Sequence, residues 1–295
     1  MYSKPGSIVV GVDGSQHADR ALQWAIHQAV GERRALTIVH AVHAVTPAFT
    51  DAAIIDAQNA KSAHDATGQK VLDDARSKIE RTAPSLEVHE VFDLADPRDV
   101  LLQLSDSAAV LVVGSRGRGK LRSLLLGSVS VALVRHAHCP VVVARPEHRG
   151  TVRNGVVVGV DASAEARPVL EFAYRQASLH DLPLTILDCV WDIQAGTMGA
   201  YLVSDAPANL EAERLALAEA TAGMTEKYPE VHVTTRMARG IPQEALVRLG
   251  ERMDLIVVGA HQDSRISQAL FGSVSVAVVE SATCPVAVVP LSTPS

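Results

Sequence analysis

Continuous apolar runs alternate along the chain with segments whose apolar residues recur at helical spacing. Runs such as Ile8–Val12 and Ala109–Gly114 are rich in valine and isoleucine, which is typical of strands buried on both faces. Segments such as Ala18–Val30 place apolar residues three and four positions apart, which predicts amphipathic helices between the strands. The alternation predicts an α/β fold whose parallel sheet is covered by helices on both faces.

Five strands separated by helices are predicted in the first half. The strands are Ile8–Val12, Leu36–Val42, Leu86–Phe92, Ala109–Gly114 and Pro140–Ala144, and the helices are Ala18–Val30, Asp56–Thr82, Pro97–Ser105 and Gly127–His136. Right-handed crossovers between such strands give an open, doubly wound sheet. Segments 43–57 and 190–208 lack periodicity and are predicted to be loops. Ligands of such sheets bind beyond the carboxyl ends of the strands, where the strand order reverses.

The second half of the chain repeats the first. The segment Val9–Asp13 recurs unchanged as Val157–Asp161, and residues 127–143 match residues 272–288 at 12 of 17 positions. A chain of 295 residues is long enough for two domains, each with its own core. We therefore predict two tandem five-stranded domains, 1–146 and 155–295, joined by a linker at 147–154.

The loop after the fourth strand has the composition of a phosphate-binding loop. Glycines without a Cβ are expected to expose backbone N–H groups there, in conformations that other residues avoid, and four cations lie among them. The glycines are Gly114, Gly117, Gly119 and Gly127, and the cations are Arg116, Arg118, Lys120 and Arg122. Ser128 begins the next helix, where unpaired N–H groups and the helix dipole favour an anion. A loop of this kind is suited to a di- or triphosphate.

Several other classes of function are disfavoured by motif and composition. Lys120 is followed by leucine, so the P-loop motif is absent, and the first strand is not followed by Gly-x-Gly-x-x-Gly. A net charge of −6 and 3% aromatic residues argue against nucleic-acid binding. No zinc or calcium motif suggests a metal site, and Cys139 and Cys284, which occupy matching positions, are expected to be buried. No apolar run is long enough for a membrane span, so a cytoplasmic protein is expected.

The spacing Gly114-x2-Gly117-x9-Gly127-Ser128, together with Gly11-Val12-Asp13 at the end of the first strand, resembles the ATP-binding type of universal stress protein. The resemblance spans nearly the whole chain and matches the tandem two-domain form of this family found in actinobacteria. It implies a Rossmann-like fold of the adenine nucleotide alpha hydrolase type, with strand order 3-2-1-4-5. It also implies that ATP contacts Gly11, Val12, Asp13, Ala41, Gly114, Ser115, Arg116, Gly117, Arg118, Gly119, Lys120, Gly127, Ser128, Val129 and Ser130.

The second half departs from this motif. Gln262 stands where the motif has its middle glycine, Ala162 replaces Gly14, and Asp263 brings a negative charge to the phosphate loop. We therefore expect the second site to bind nucleotide more weakly than the first, or not at all. Its candidate residues are Gly159, Val160, Asp161, Gly259, Ala260, His261, Arg265, Gly272, Ser273, Val274 and Ser275.

Two classes of function remain open at this point. The favoured one is a binding protein whose ATP occupancy, with or without Mg²⁺, regulates a response to stress or dormancy, and no catalytic residue is assigned. The alternative is an enzyme that uses the same loop as a slow ATPase or nucleotidyl transferase, which would require positioned carboxylates and Mg²⁺. A flavin protein is disfavoured by the low aromatic content. The resemblance further implies pairing of the two halves through their last strands, and a homodimer is expected.

Overall fold

The computed structural model describes residues 3–43, 51–117, 126–145, 155–161, 164–191, 201–203, 211–261 and 272–291. The chain divides into two compact units, Met1–Ala144 and Arg145–Ser295. The segment predicted as the linker, 147–154, lies outside the described residues.

The first unit is a five-stranded parallel arrangement with helices between the strands. Its strands are β1 (Ile8–Gly11), β2 (Leu36–Ala41), β3 (Val88–Asp93), β4 (Val110–Gly114) and β5 (Val141–Ala144), and its helices are α1 (Gln16–Glu32), α2 (Asp51–Thr82), α3 (Pro97–Ser105) and α4 (Ser128–His136). The strands lie in the order β3-β2-β1-β4-β5, and every pairing is parallel. The predicted order 3-2-1-4-5 is confirmed.

The core of the first unit forms where its apolar runs were predicted to be strands. Val9 and Val10 in β1, and Leu111 and Val112 in β4, are fully buried. Helix α1 contacts β1, β4 and α2, whereas α3 contacts β2, β4 and α4. Because the central strands are covered by helices, both alternating sets of their side chains are apolar.

The second unit repeats this arrangement and adds one strand. Its strands are β6 (Val156–Val160), β7 (Leu184–Trp191), β8 (Tyr201–Val203), β9 (Val233–Gly240), β10 (Leu255–His261) and β11 (Val286–Leu291). Its helices are α5 (Arg167–Leu179), preceded by a 3₁₀ turn at Ala164–Ala166, and then α6 (Glu211–Thr221), α7 (Met224–Lys227), α8 (Pro242–Gly250) and α9 (Gly272–Ser281). Strands β9-β7-β6-β10-β11 are parallel, and β8 pairs antiparallel with β9.

The five parallel strands predicted for the second unit are present, and β8 adds a sixth, antiparallel strand that was not predicted. Both predicted loops are partly wrong. Strand β8 lies inside 190–208, where three apolar residues are too few to show a period. Helix α2 begins at Asp51, inside 43–57, because Ala-rich sequence favours a helix even where it has no amphipathic pattern. Among the described residues, no helix is long and apolar enough to cross a membrane.

Candidate functional site

A cavity of about 300 Å³ opens at the carboxyl ends of β1, β2 and β4. Within the sheet, β2 and β3 follow on one side of β1, and β4 and β5 lie on its other side. The order therefore reverses between β1 and β4, which is the position where doubly wound folds bind ligands. A volume of this size is at the lower end of what small-molecule pockets have.

Most predicted site residues of the first unit line this cavity. They are Gly11, Val12, Asp13, Ala41, Gly114, Arg116, Gly117, Gly127, Ser128, Val129 and Ser130. Arg118, Gly119 and Lys120 lie outside the described residues. Ser115 is not part of the wall: it is buried, and its Oγ lies 3.2 Å from Nδ1 of His17. The resemblance had included Ser115 because it carried over the whole loop from Gly114 to Lys120.

Asp13 and Gly117 lie against each other across the cavity mouth. The Ser15 backbone N–H donates to Oδ1 of Asp13 over 2.9 Å, which fixes the carboxylate at the start of α1. A Cβ added to Gly117 would lie 2.7 Å from Oδ2 of Asp13, so the carboxylate or the loop would have to move to admit a side chain. Glycine at 117 therefore allows the loop to approach the carboxylate.

Residue 114 is also glycine because another part of the chain lies close to it, and not because its backbone conformation is unusual. A Cβ there would lie 2.7 Å from the carbonyl oxygen of His17, in the first turn of α1. The backbone of Gly114, Gly117 and Gly127 has no positive φ, so the predicted conformational reason is wrong for these three glycines. Among the neighbouring glycines, Gly14 does adopt a left-handed conformation, with φ 74°.

The amino end of α4 faces the cavity. Gly127 caps this helix, its N–H donates to the Ser115 carbonyl over 2.9 Å, and the hydroxyl of Ser130 donates to the Gly114 carbonyl over 2.8 Å. A Cβ on Gly127 would meet nothing closer than Cα of Arg116, at 3.5 Å. Packing within the described residues therefore does not require glycine at position 127. Ser128, the next residue, is exposed. The N–H groups of the first turn can therefore meet an anion.

Arg116 supplies positive charge to the same wall. Its Nε is buried and has no hydrogen-bond partner among the residues the structure describes. Because Arg116 lines the cavity, its positive charge lies beside this space and favours an anion there.

The opposite end of the cavity is apolar and includes residues that the sequence reasoning missed. These are Ala18, Val39, Pro97, Leu101 and Val113. The place of Val39 in the wall could have been predicted, because it lies two positions before Ala41 and therefore on the same face of β2. Pro97 and Leu101 come from α3, and their place depends on the tertiary fold.

His40 lies between the wall residues Val39 and Ala41 in β2, and its side chain contacts the end of β1. Its Nδ1 lies 2.7 Å from the Val12 carbonyl, so Nδ1 carries the proton and donates it. The imidazole is buried and stacks on Phe92, with ring centroids 6.0 Å apart. This contact fixes Val12, and with it the backbone that leads to Asp13.

The second unit has a smaller cavity, about 110 Å³, at the equivalent position. Of its predicted residues, Gly159, Val160, Asp161, Gly259 and Val274 line the wall. Ala260 and Ser275 are buried outside the wall, because neighbouring residues of a strand or helix point in different directions. His261 ends β10, Gly272 and Ser273 begin α9, and Arg265 lies outside the described residues.

The cysteines and histidines do not assemble a metal site within the described part of the chain, where no group of three metal-binding side chains occurs. Cys139 and Cys284 are buried, as predicted. Burial raises the pKa of the Cys139 thiol to about 12, so this thiol is uncharged and unreactive at neutral pH. His138 is paired with Asp106 at 2.7 Å.

A doubly wound fold with a glycine-lined cavity at its switch point defines a class of small-ligand-binding α/β proteins. Comparison of the sequence narrows this class to one family. The profile of the universal stress protein family matches residues 5–145 and again residues 153–290. The chain belongs to the universal stress protein family, in its tandem form.

Similar proteins of known family cover almost the whole chain. A universal stress protein of Mycobacterium tuberculosis is 32% identical over 95% of both chains. One from Mycolicibacterium smegmatis is 32% identical over 96% of both chains. A crystal structure of a universal stress protein from Archaeoglobus fulgidus, 19% identical, covers 97% of this chain and 96% of its own with a TM-score of 0.66. That likeness supports the fold.

Proposed function

We propose that the first unit binds ATP and that its occupancy makes the chain a nucleotide-dependent regulator in the response to stress. The observation that carries the proposal is the polar end of the 300 Å³ cavity, where the cationic Arg116 and the amino end of α4 line the same wall. The first turn of α4 offers its N–H groups to the same space. Such an arrangement fits a polyphosphate.

The apolar end of the cavity fits the other part of the ligand. Val39, Ala41, Pro97 and Leu101 form a slot suited to a planar base. Asp13, at the junction between the two ends, presents a carboxylate that can accept hydrogen bonds from ribose hydroxyls. The proposed pose therefore puts adenine between β2 and α3, ribose near Asp13, and the phosphates between Arg116 and α4.

Mg²⁺ would be held mainly by the phosphates and water in this pose. Asp13 is the carboxylate among the described wall residues, and one of its oxygens already accepts the N–H of Ser15. Mg²⁺ usually binds through one or two carboxylates together with substrate phosphates, so the residues present fit an ion carried in by ATP. Since this carboxylate faces the proposed ribose, the site supports binding better than hydrolysis.

The proposal is tested on the freshly purified full chain. Mass spectrometry of the supernatant after denaturation should find an adenine nucleotide, and calorimetry of the emptied protein should give one ATP per first unit. Gly127→Val should abolish this binding without unfolding the protein, since Gly127 lines the cavity and an added Cβ would meet no protein atom closer than 3.5 Å. Gly272→Val, at the matching position of the second unit, is the control. Normal ATP binding by Gly127→Val, or sustained ATP hydrolysis, would contradict the proposal.

A further inference from the structure

His17 and Ser115 form a hydrogen bond beside the first cavity, although neither residue lines it. His17 lies in the first turn of α1, and Ser115 is the first residue after β4. Nδ1 of His17 lies 3.2 Å from the hydroxyl oxygen of Ser115. Because Ser115 is only 1% exposed, its hydroxyl depends on such a partner inside the protein rather than on water.

The backbone of Ser115 is held at two further points. Its N–H donates to the carbonyl of Ala144, the last residue of β5, over 3.1 Å. Its carbonyl accepts the N–H of Gly127, which caps α4, over 2.9 Å. Ser115 is therefore connected to β5, to α4 and, through its side chain, to α1. Of these three hydrogen bonds, the one with His17 depends on a side chain at each end.

The position of Ser115 determines where the polar wall of the cavity begins. Arg116 and Gly117, the next two residues, both line the cavity. The first turn of α1 also packs on the end of β4, since a Cβ on Gly114 would lie 2.7 Å from the carbonyl oxygen of His17. His17 thus contacts the end of β4 through its backbone and the start of the loop through its ring. Helix α1 therefore helps to set the direction in which the chain leaves β4.

The second unit has neither member of this pair. Glu165 and Ala260 occupy the positions of His17 and Ser115 in the repeat, and alanine has no side-chain hydrogen-bonding group. The strands also end differently, because β10 continues past Ala260 whereas β4 ends before Ser115. The pair therefore occurs in the unit whose chain leaves the strand at this position, and it is missing from the unit whose strand continues.

We propose that His17 is a positioning residue for the ATP site, whose hydrogen bond to Ser115 keeps Arg116 and Gly117 in the cavity wall. This role deepens the proposed function of the first unit and rests on it. Because His17 does not line the cavity, it acts on ATP through Ser115. Without the ring, the buried hydroxyl loses this partner, which favours a loop position where water can reach it. Substitutions of the two residues should therefore weaken ATP binding without adding to each other.

A double-mutant cycle on the full chain, measured by calorimetry with ATP, tests this coupling. His17→Ala and Ser115→Ala should each weaken ATP binding about fivefold, and the double variant should be no weaker than either single one. His17→Asn should restore most of the affinity, because its amide has a polar atom near the position of Nδ1. Gln16→Ala, at the exposed neighbouring position of α1, is the matched control and should bind ATP normally. Losses that add in the double variant, or a His17→Asn variant as weak as His17→Ala, would overturn the proposal.

Hydrogen exchange of the ATP-free chain separates the role of His17 from the proposed function. His17→Ala should speed exchange in the peptide that contains Gly127, whose N–H donates to Ser115, and should leave the peptide that covers β2 unchanged. Urea denaturation should show little loss of global stability, since alanine favours helices more than histidine does. If the unmodified chain binds no ATP while His17→Ala still speeds this exchange, the proposed function fails and the role of His17 in holding the loop stands. Unchanged exchange would overturn that role.

Discussion

At the scale of single residues, the first cavity depends on glycines that serve two different needs. Gly114 and Gly117 are required by neighbouring protein atoms, His17 and Asp13 respectively. Gly127 has room for a Cβ on the protein side and borders the cavity on the other. Substitutions at these positions should therefore separate effects on loop position from effects on ligand space.

Gly117→Ala should weaken ATP binding by about tenfold, equivalent to about 1.4 kcal/mol. The physical reason is the 2.7 Å approach of the new Cβ to Oδ2 of Asp13, which must push the loop and the carboxylate apart. Calorimetric titration of the purified variant measures the change. Gly272→Ala in the second unit is the control and should leave the ATP affinity of the first unit intact; equal losses in both variants would show that the two cavities do not differ as argued.

At the scale of elements, helix α3 brings Pro97 and Leu101 to the cavity, and its start is fixed by a cap. Asp96 accepts the backbone N–H of Arg98 over 2.9 Å and also pairs with its guanidinium. The Arg98 side chain holds the pKa of the Asp96 carboxyl at about 2, below its ordinary 3.8. Because the folded pKa is lowered, the stabilisation is present above about pH 4 and is lost as the pH falls towards 2.

Asp96→Ala should reduce the free energy of unfolding by about 1 kcal/mol at neutral pH, the usual effect of losing a helix cap. Urea denaturation at several pH values measures it, and the difference from the unmodified chain should shrink between pH 4 and pH 2. Asp96→Asn keeps a capping oxygen and should retain most of the stability. A difference that grows as the pH falls would contradict the assigned role of the carboxylate.

Gly68, in α2, packs against Phe92, and Phe92 contacts His40 next to the cavity wall. A Cβ at position 68 would overlap Cε2 of Phe92, and Phe92 in turn stacks on His40. Gly68→Ala should therefore destabilise the fold by about 1–3 kcal/mol, as overpacking does. In a Phe92→Leu background the same change should be neutral or stabilising, because alanine favours helices over glycine. Chemical denaturation of the four chains forms the test cycle; destabilisation that persists without the ring would exclude the clash as its cause.

The sequence allowed some of these elements to be predicted and not others. Helix α3 was predicted with its observed bounds, since proline at its first turn is a local signal. The contact between Gly117 and Asp13 could not be predicted from the sequence, because it joins residues about a hundred positions apart. Ala260 was misplaced for the opposite reason: it adjoins Gly259, but strand alternation turns it away from the cavity.

At the scale of the whole molecule, duplication has produced two units whose cavities no longer match. The motif changes at Gln262 and Asp263 suggested this difference, although both lie outside the described residues. Within the described part of the chain, Leu187 and Cys189 stand where the first unit has the smaller Val39 and Ala41, and the second cavity is smaller, about 110 Å³ against about 300 Å³.

The asymmetry predicts where ATP should protect the chain from hydrogen exchange. A ligand that binds the folded state at about 100 times its Kd adds about 2.7 kcal/mol of stability, which slows exchange of amides that open with its site. Added ATP should therefore protect residues 111–117 and 126–131, around β4 and the start of α4, and leave residues 255–261 of β10 unchanged. Peptide-resolved mass spectrometry reads both regions in one sample, so each unit is the internal control of the other. Equal protection of β4 and β10 would mean that a nucleotide occupies both cavities, and the expected difference between the two units would then be wrong.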